Sequence, residues 1–93
     1  MNKLEEARLI INSVDDKMIE LFKERMHAAE MVAEYKKENG LAVFDKKREE
    51  AIIEKNINKL NCSNLEEYYL EWFKSMLKVS KDYQKKIIGD NND

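Results

Sequence analysis

From Leu4 to Tyr35 apolar residues recur at alternating intervals of three and four, with no proline among them: Leu4, Ala7, Ile11, Val14, Met18, Leu21, Ala28, Val32 and Tyr35. That spacing is the signature of a helix that turns one stripe toward a packing surface. Arg25 stands at the one position in the series where the next apolar residue is due. Asn39-Gly40 closes the run, because both residues tolerate the left-handed conformation of a helix C-cap. The predicted helix is about 34 residues long, or roughly 50 Å at 1.5 Å per residue. A compact domain of this chain length has a radius of gyration of only about 12 Å. The helix therefore overhangs its own domain, and its protruding stripe needs cover from a second copy. The expectation is an all-α homodimer. The rest of the composition agrees: with no proline and only two glycines in 93 residues, turns are scarce and long helices are the natural use of the chain.

Two shorter helices are expected after the long one. Leu41-Ala42-Val43-Phe44 forms an apolar connector, and Asp45 reads as the N-cap of a second helix running to about Leu60. Its inward rows hold Glu49, Ile53, Ile57 and Leu60, with Arg48 and Ile52 beside them. A polar loop, Asn61-Cys62-Ser63, follows. Ser63 with Glu66 three residues on matches a capping box, which starts the third helix near Asn64. Its main seam is Leu65, Tyr69, Trp72, Met76, Val79 and Tyr83. In an adjacent row, Phe73, Leu77, Ser80, Gln84 and Ile87 or Ile88, two polar residues interrupt an apolar series. The expectation is one domain over residues 1–93, with a frayed tail from about residue 89.

Several function classes are disfavoured. The net charge of -2 and a pI near 5.5 lack the basic excess of a nucleic-acid binder. One cysteine and one histidine are too few for a structural zinc site, so no metal is expected. No apolar run approaches the ~18 residues of a membrane span, and the N-terminal residues form no secretory signal. A cytoplasmic protein is expected. Glycine-rich phosphate loops are absent, Ser80 has no histidine at helical spacing, and Cys62 has no local activator. Any chemistry would proceed by positioning and electrostatics, without a cofactor.

The polar residues set in or beside the apolar rows remain to be explained, since a charge in a seam is costly without a partner. Arg8 and Lys36 each follow a seam position by one residue. Arg25 and Lys36 are eleven residues apart, nearly three whole turns, and share one side of the first helix. Arg48 and Glu49 face inward one turn into the second helix, and Ser80 and Gln84 are four apart on the third. Taken singly, each has an ordinary role: an ion pair for Arg25, a surface charge for Arg8, a solvated helix end for Lys36, a charged face for Glu49. Together they surround one interior, and cations exceed anions. Guanidinium forks match carboxylates, and lysine acts as a mobile point charge. The set suits a small ligand with two carboxylates.

This pattern resembles the all-helical (AroQ-type) chorismate mutases from about Leu4 to Gln84. The match rests on Arg8, Val14-Asp15, Leu21-Phe22, Glu24-Arg25, Lys36, Asp45-Lys46-Lys47-Arg48-Glu49, and Ser80 with Gln84. The prolines often found before the Asp45 position are absent. The resemblance implies three helices, one very long and two shorter, in an intertwined homodimer with two equivalent sites. It implies that Arg8 is donated across the interface, and that Arg25 and Arg48 bind the carboxylates of chorismate with it. Lys36 and Gln84 would hydrogen-bond the ether oxygen, Asp45 (mostly through its backbone) and Glu49 would receive the ring hydroxyl, and Ser80 would contact a carboxylate. Two other expectations compete. An isochorismate pyruvate-lyase uses a similar helical scaffold and cationic pocket. A non-catalytic helical dimerisation module accounts for the heptad-like first helix but leaves Ser80 and Gln84 unexplained.

Overall fold

A computed structural model describes residues 1–89, and the expected fraying of residues 90–93 lies outside them. The first helix, α1 (Lys3–Glu38), runs 36 residues without a break. Asn2 caps it by accepting from the Glu5 N–H at 2.9 Å. Glu5 and Glu6 lie at its positive end and Lys36 and Lys37 at its negative end, the arrangement the helix dipole favours. The other end is a Schellman motif: the Leu41 N–H donates to the Lys36 carbonyl at 2.8 Å and the Gly40 N–H to the Lys37 carbonyl at 3.4 Å. Gly40 supplies the left-handed φ of +63° that this turn requires. At 1.5 Å per residue α1 is about 54 Å long, which accounts for the molecule's longest extent of 55 Å. The radius of gyration, 16.5 Å, is well above the value for a compact chain of this length.

Helix α2 (Lys46–Leu60) begins where Asp45 predicts, with the Asp45 carboxylate accepting from the Arg48 N–H at 3.1 Å. It ends at Asn61, which adopts the left-handed conformation. Helix α3 (Glu66–Ile88) starts later than the sequence suggests. A 3₁₀ turn over Ser63–Leu65 precedes it, headed by the extended Cys62, and the Leu65 N–H donates to the Cys62 carbonyl at 3.0 Å. The Ser63–Glu66 capping box does not form, because Ser63 lies inside the turn and not at the extended position before a helix; neither start carries a side-chain cap. No strand occurs among the described residues.

Helix α3 is the centre of the packing, touching both α1 and α2. The core holds Ala29 and Ala33 of α1 and Phe73, Leu77, Ser80 and Gln84 of α3. Half-buried Ile52, Ile53, Ile57 and Leu60 of α2 close its side. Two small residues on α1 let the α3 backbone come near. Tyr83 of α3 donates to the Glu30 carboxylate, tying the helices together beside them. The predicted seams need a correction here. On α3 the buried row is the one interrupted by Ser80 and Gln84, while Trp72 of the expected main seam is 50% exposed. On α1 the long stripe faces outward, with Leu21 60% exposed, and the buried alanines lie one residue further on. Among the helices of one chain α1 packs only on α3, and most of the stripe is left exposed.

Candidate active site

The local geometry of each helix brings the polar residues to one cleft. On α1, Arg25, Ala29, Ala33 and Lys36 succeed one another at intervals of four, four and three, one side of the helix. The two alanines are buried, and the two cations flank them as half-buried side chains. Leu77, Ser80 and Gln84 repeat the same spacing on α3. The connector after Gly40 then turns back across the end of α1. Its Val43 carbonyl accepts from Lys36 Nζ at 2.7 Å, and Asp45 begins α2 beside it. Starting there, α2 directs Arg48, Glu49 and Ile52 into the same space.

The resulting cleft is lined by Arg25, Lys36, Asp45, Arg48, Glu49, Ser80 and Gln84, that is, by every residue the sequence singled out except Arg8. Arg8 lies seventeen residues before Arg25 on the same straight helix, about 25 Å away in rise, and does not approach the cleft of its own chain. Val32, Val43, Ile52 and Leu77 form the apolar part of the lining, and Lys81 adds a cation that the sequence reading missed. Lys81 follows Ser80 by one residue, so it flanks the buried row as Lys36 flanks its stripe on α1; that position was the available signal. Four cations against two carboxylates leave the lining with a formal excess of two positive charges. A dianion is the ligand such a lining attracts.

The polar groups are already arranged. Gln84 is 9% exposed, and its Nε2 donates to Ser80 Oγ at 3.1 Å. Its Oε1 is buried and has no partner. A buried amide end left unpaired costs free energy that a bound ligand recovers, whichever way the amide is turned. Glu49 forms an ion pair with Lys81, Oε1 to Nζ 2.9 Å. Lys36 is held by one carbonyl, which leaves two of its three N–H donors for a ligand. The cleft has a volume of about 130 Å³, below the ~300–1,000 Å³ of a complete small-molecule site. Beside it lies an apolar groove of about 360 Å³ between α1 and α3, lined by Met18, Leu21, Phe22, Trp72, Met76 and Val79. Arg25 borders both. Among the described residues, no group of three or more His, Cys, Asp or Glu side chains could hold a metal ion, and no helix is long and apolar enough to cross a membrane.

Comparison with known proteins gives one assignment. Residues 7–85 match the family model of chorismate mutase type II. No curated protein and no solved structure gave a match.

Proposed function

The chain belongs to the chorismate mutase type II family, whose members are isomerases, and we propose that this cleft converts chorismate to prephenate by a Claisen rearrangement. One observation carries the reading: eight polar residues, from all three helices and the Asp45 cap, line one cleft with two positive charges in excess. Chorismate carries two carboxylates. Arg25 and Arg48 hold them, and Ser80 adds a hydrogen bond. With both carboxylates clamped, the two reacting arms are folded together, and the entropy of bringing them into line is lost on binding and not in the reaction.

Breaking the C–O bond builds negative charge on the ether oxygen while the new C–C bond forms in the same molecule. Donors aimed at that oxygen bind the transition state more strongly than the ground state. Lys36 supplies the charge, keeping its bond to the Val43 carbonyl. The Gln84 amide supplies a neutral donor from α3, which requires its nitrogen to face the cleft. Glu49 and the Asp45 backbone take the ring hydroxyl. No covalent intermediate is involved. The prephenate formed would serve phenylalanine and tyrosine synthesis in the cytoplasm.

The working unit in this reading is a homodimer, with the whole chain as one catalytic domain. The exposed stripe of α1 and the apolar groove beside Arg25 are the surfaces a second copy covers. The partner's long helix then brings its Arg8 to the cleft, which one chain leaves open. The test is chorismate consumption with appearance of prephenate by purified protein, run beside a solution mass. Absence of turnover at high enzyme concentration refutes the reading, and release of salicylate and pyruvate from isochorismate replaces it with a lyase. Donation of Arg8 is tested by mixing an Arg8→Ala chain with a Lys36→Ala chain. Mixed dimers regain one intact site if Arg8 crosses the interface and none if it acts within its own chain.

A further inference from the structure

We infer that Lys81 is a positioning residue of this site: it neutralises Glu49 and holds that carboxylate in place, so that an acceptor for the ring hydroxyl can sit in a cleft built for a dianion. The inference rests on the proposed function, because it concerns how the same site tolerates a negative side chain.

A carboxylate lining such a cleft repels the ligand and competes for the cations meant to hold it. Glu49 nevertheless lines the cleft with its side chain only 23% exposed. Its charge is met by Lys81 Nζ at 2.9 Å, from a lysine side chain 29% exposed. The contacts Lys23–Glu20, His27–Glu30, Lys46–Glu50 and Lys78–Asp82 each join residues three or four apart on one helix, in more exposed positions. Lys81–Glu49 instead joins α3 to α2 across the cleft wall. The ammonium also lies 4.7 Å from the centroid of the Phe44 ring, in the connector. A lysine held by a carboxylate on one side and an aromatic face on the other has lost much of its usual freedom. Three elements that form the cleft mouth, the connector, α2 and α3, thus meet at one side chain.

The kinetic consequence follows from what changes during the reaction. The ligand's carboxylates carry the same charge in ground and transition states, so a charge that acts on them alters binding of both equally. Without Lys81 the lining's excess falls to one positive charge, and Glu49 is left to compete with the ligand for the remaining lining cations, Arg25, Lys36 and Arg48. Lys81→Met should therefore raise KM for chorismate about tenfold, with kcat changed less than about threefold. Adding Glu49→Gln to Lys81→Met removes the uncompensated charge but keeps a hydroxyl acceptor, and should bring KM back to within about threefold of the parent. Lys81→Arg should keep the parent KM.

The experiment measures kcat and KM for these variants, with prephenate binding by calorimetry and thermal unfolding as parallel readouts. A KM that does not move in Lys81→Met overturns the inference, as does a raised KM that Glu49→Gln fails to recover. A lower unfolding temperature with parental KM and parental prephenate affinity also overturns it, since the ion pair would then be structural only. If the parent protein binds prephenate but turns over no chorismate, the proposed function fails, and the same pattern read in prephenate affinity still decides the role of Lys81. If the parent protein does neither, both fall together.

Discussion

Replacing Ala33 with leucine would place three extra carbons at a position with no exposed surface, on the face of α1 that turns toward α3. The nearby Tyr83–Glu30 bond shows that the helices are tied together along this side. Forcing added bulk into a packed contact costs about 1–3 kcal/mol, or about 5- to 150-fold in the folding equilibrium at ~1.4 kcal/mol per tenfold. The alternative to strain is displacement. If α3 moves outward, Ser80 and Gln84 move away from Arg25 and Lys36, and a misplacement of about 1 Å in a positioned site costs on the order of 10²-fold in rate. Urea unfolding at fixed protein concentration reads the first effect, and chorismate kinetics the second. Glu34→Leu, next in sequence on an exposed position, is the control and should stay within about 0.5 kcal/mol of the parent. An Ala33→Leu protein with the parental unfolding midpoint and parental kcat/KM would refute the packing of α1 against α3 as the frame of the site.

Three further outcomes are expected. Lys36→Ala should lower kcat by at least about 10²-fold with helicity intact, as for loss of a donor to a developing oxyanion; a normal rate by the chorismate assay removes Lys36 from the mechanism. The parent enzyme should keep its activity from about pH 6 to about pH 8, because Gln84 donates without titrating. In Gln84→Glu the buried carboxyl donates only when protonated, so activity should climb as pH falls; equal pH profiles for the two proteins contradict this role. The Tyr83 phenol is held above its usual range by the hydrogen bond to Glu30 first, then by burial and the Glu30 charge. Because the folded-state value is the higher one, this contribution to stability is complete below the unfolded value and is lost as pH rises through the folded value. Removing the acceptor with Glu30→Ala should bring phenolate absorbance in at lower pH, and an unchanged titration curve would count against the bond.

Much of the molecule is legible from short-range chemistry. The length of α1, its glycine-assisted end and the Asp45 cap depend on residues within a turn of one another, and each forms as its sequence suggests. The polar residues of the cleft were legible because they break apolar rows. What periodicity does not carry is the identity of the partner. Leu21 and Ala33 lie on different sides of one helix, and hydrophobicity points to the leucine stripe, but the chain's own core takes the alanine. Small residues are chosen for close approach, which is a property of two helices and not of one. Lys81 was missed for the same reason. A lysine beside a buried serine reads as solvated, and its partner Glu49 is 32 residues away in sequence, brought near only by the docking of α3 on α2. The Ser63–Glu66 pattern failed because Ser63 is taken up in a 3₁₀ turn that ends just before Glu66.

Because α1 carries Arg25 and Lys36 on one uninterrupted rod, their relation is one of phase, and phase limits how such a gene can change in length. One codon added between them would turn one cation about 100° away from the other. Seven codons added between Arg8 and Arg25 would return the later face to within about 20° while lengthening the rod by about 10 Å. In the proposed dimer that lengthening would carry Arg8 about 10 Å away from the cleft it completes, so upstream of Arg25 length is constrained as well as phase. Between Arg25 and Lys36 the reading frame of the helix is as strict as that of the codons.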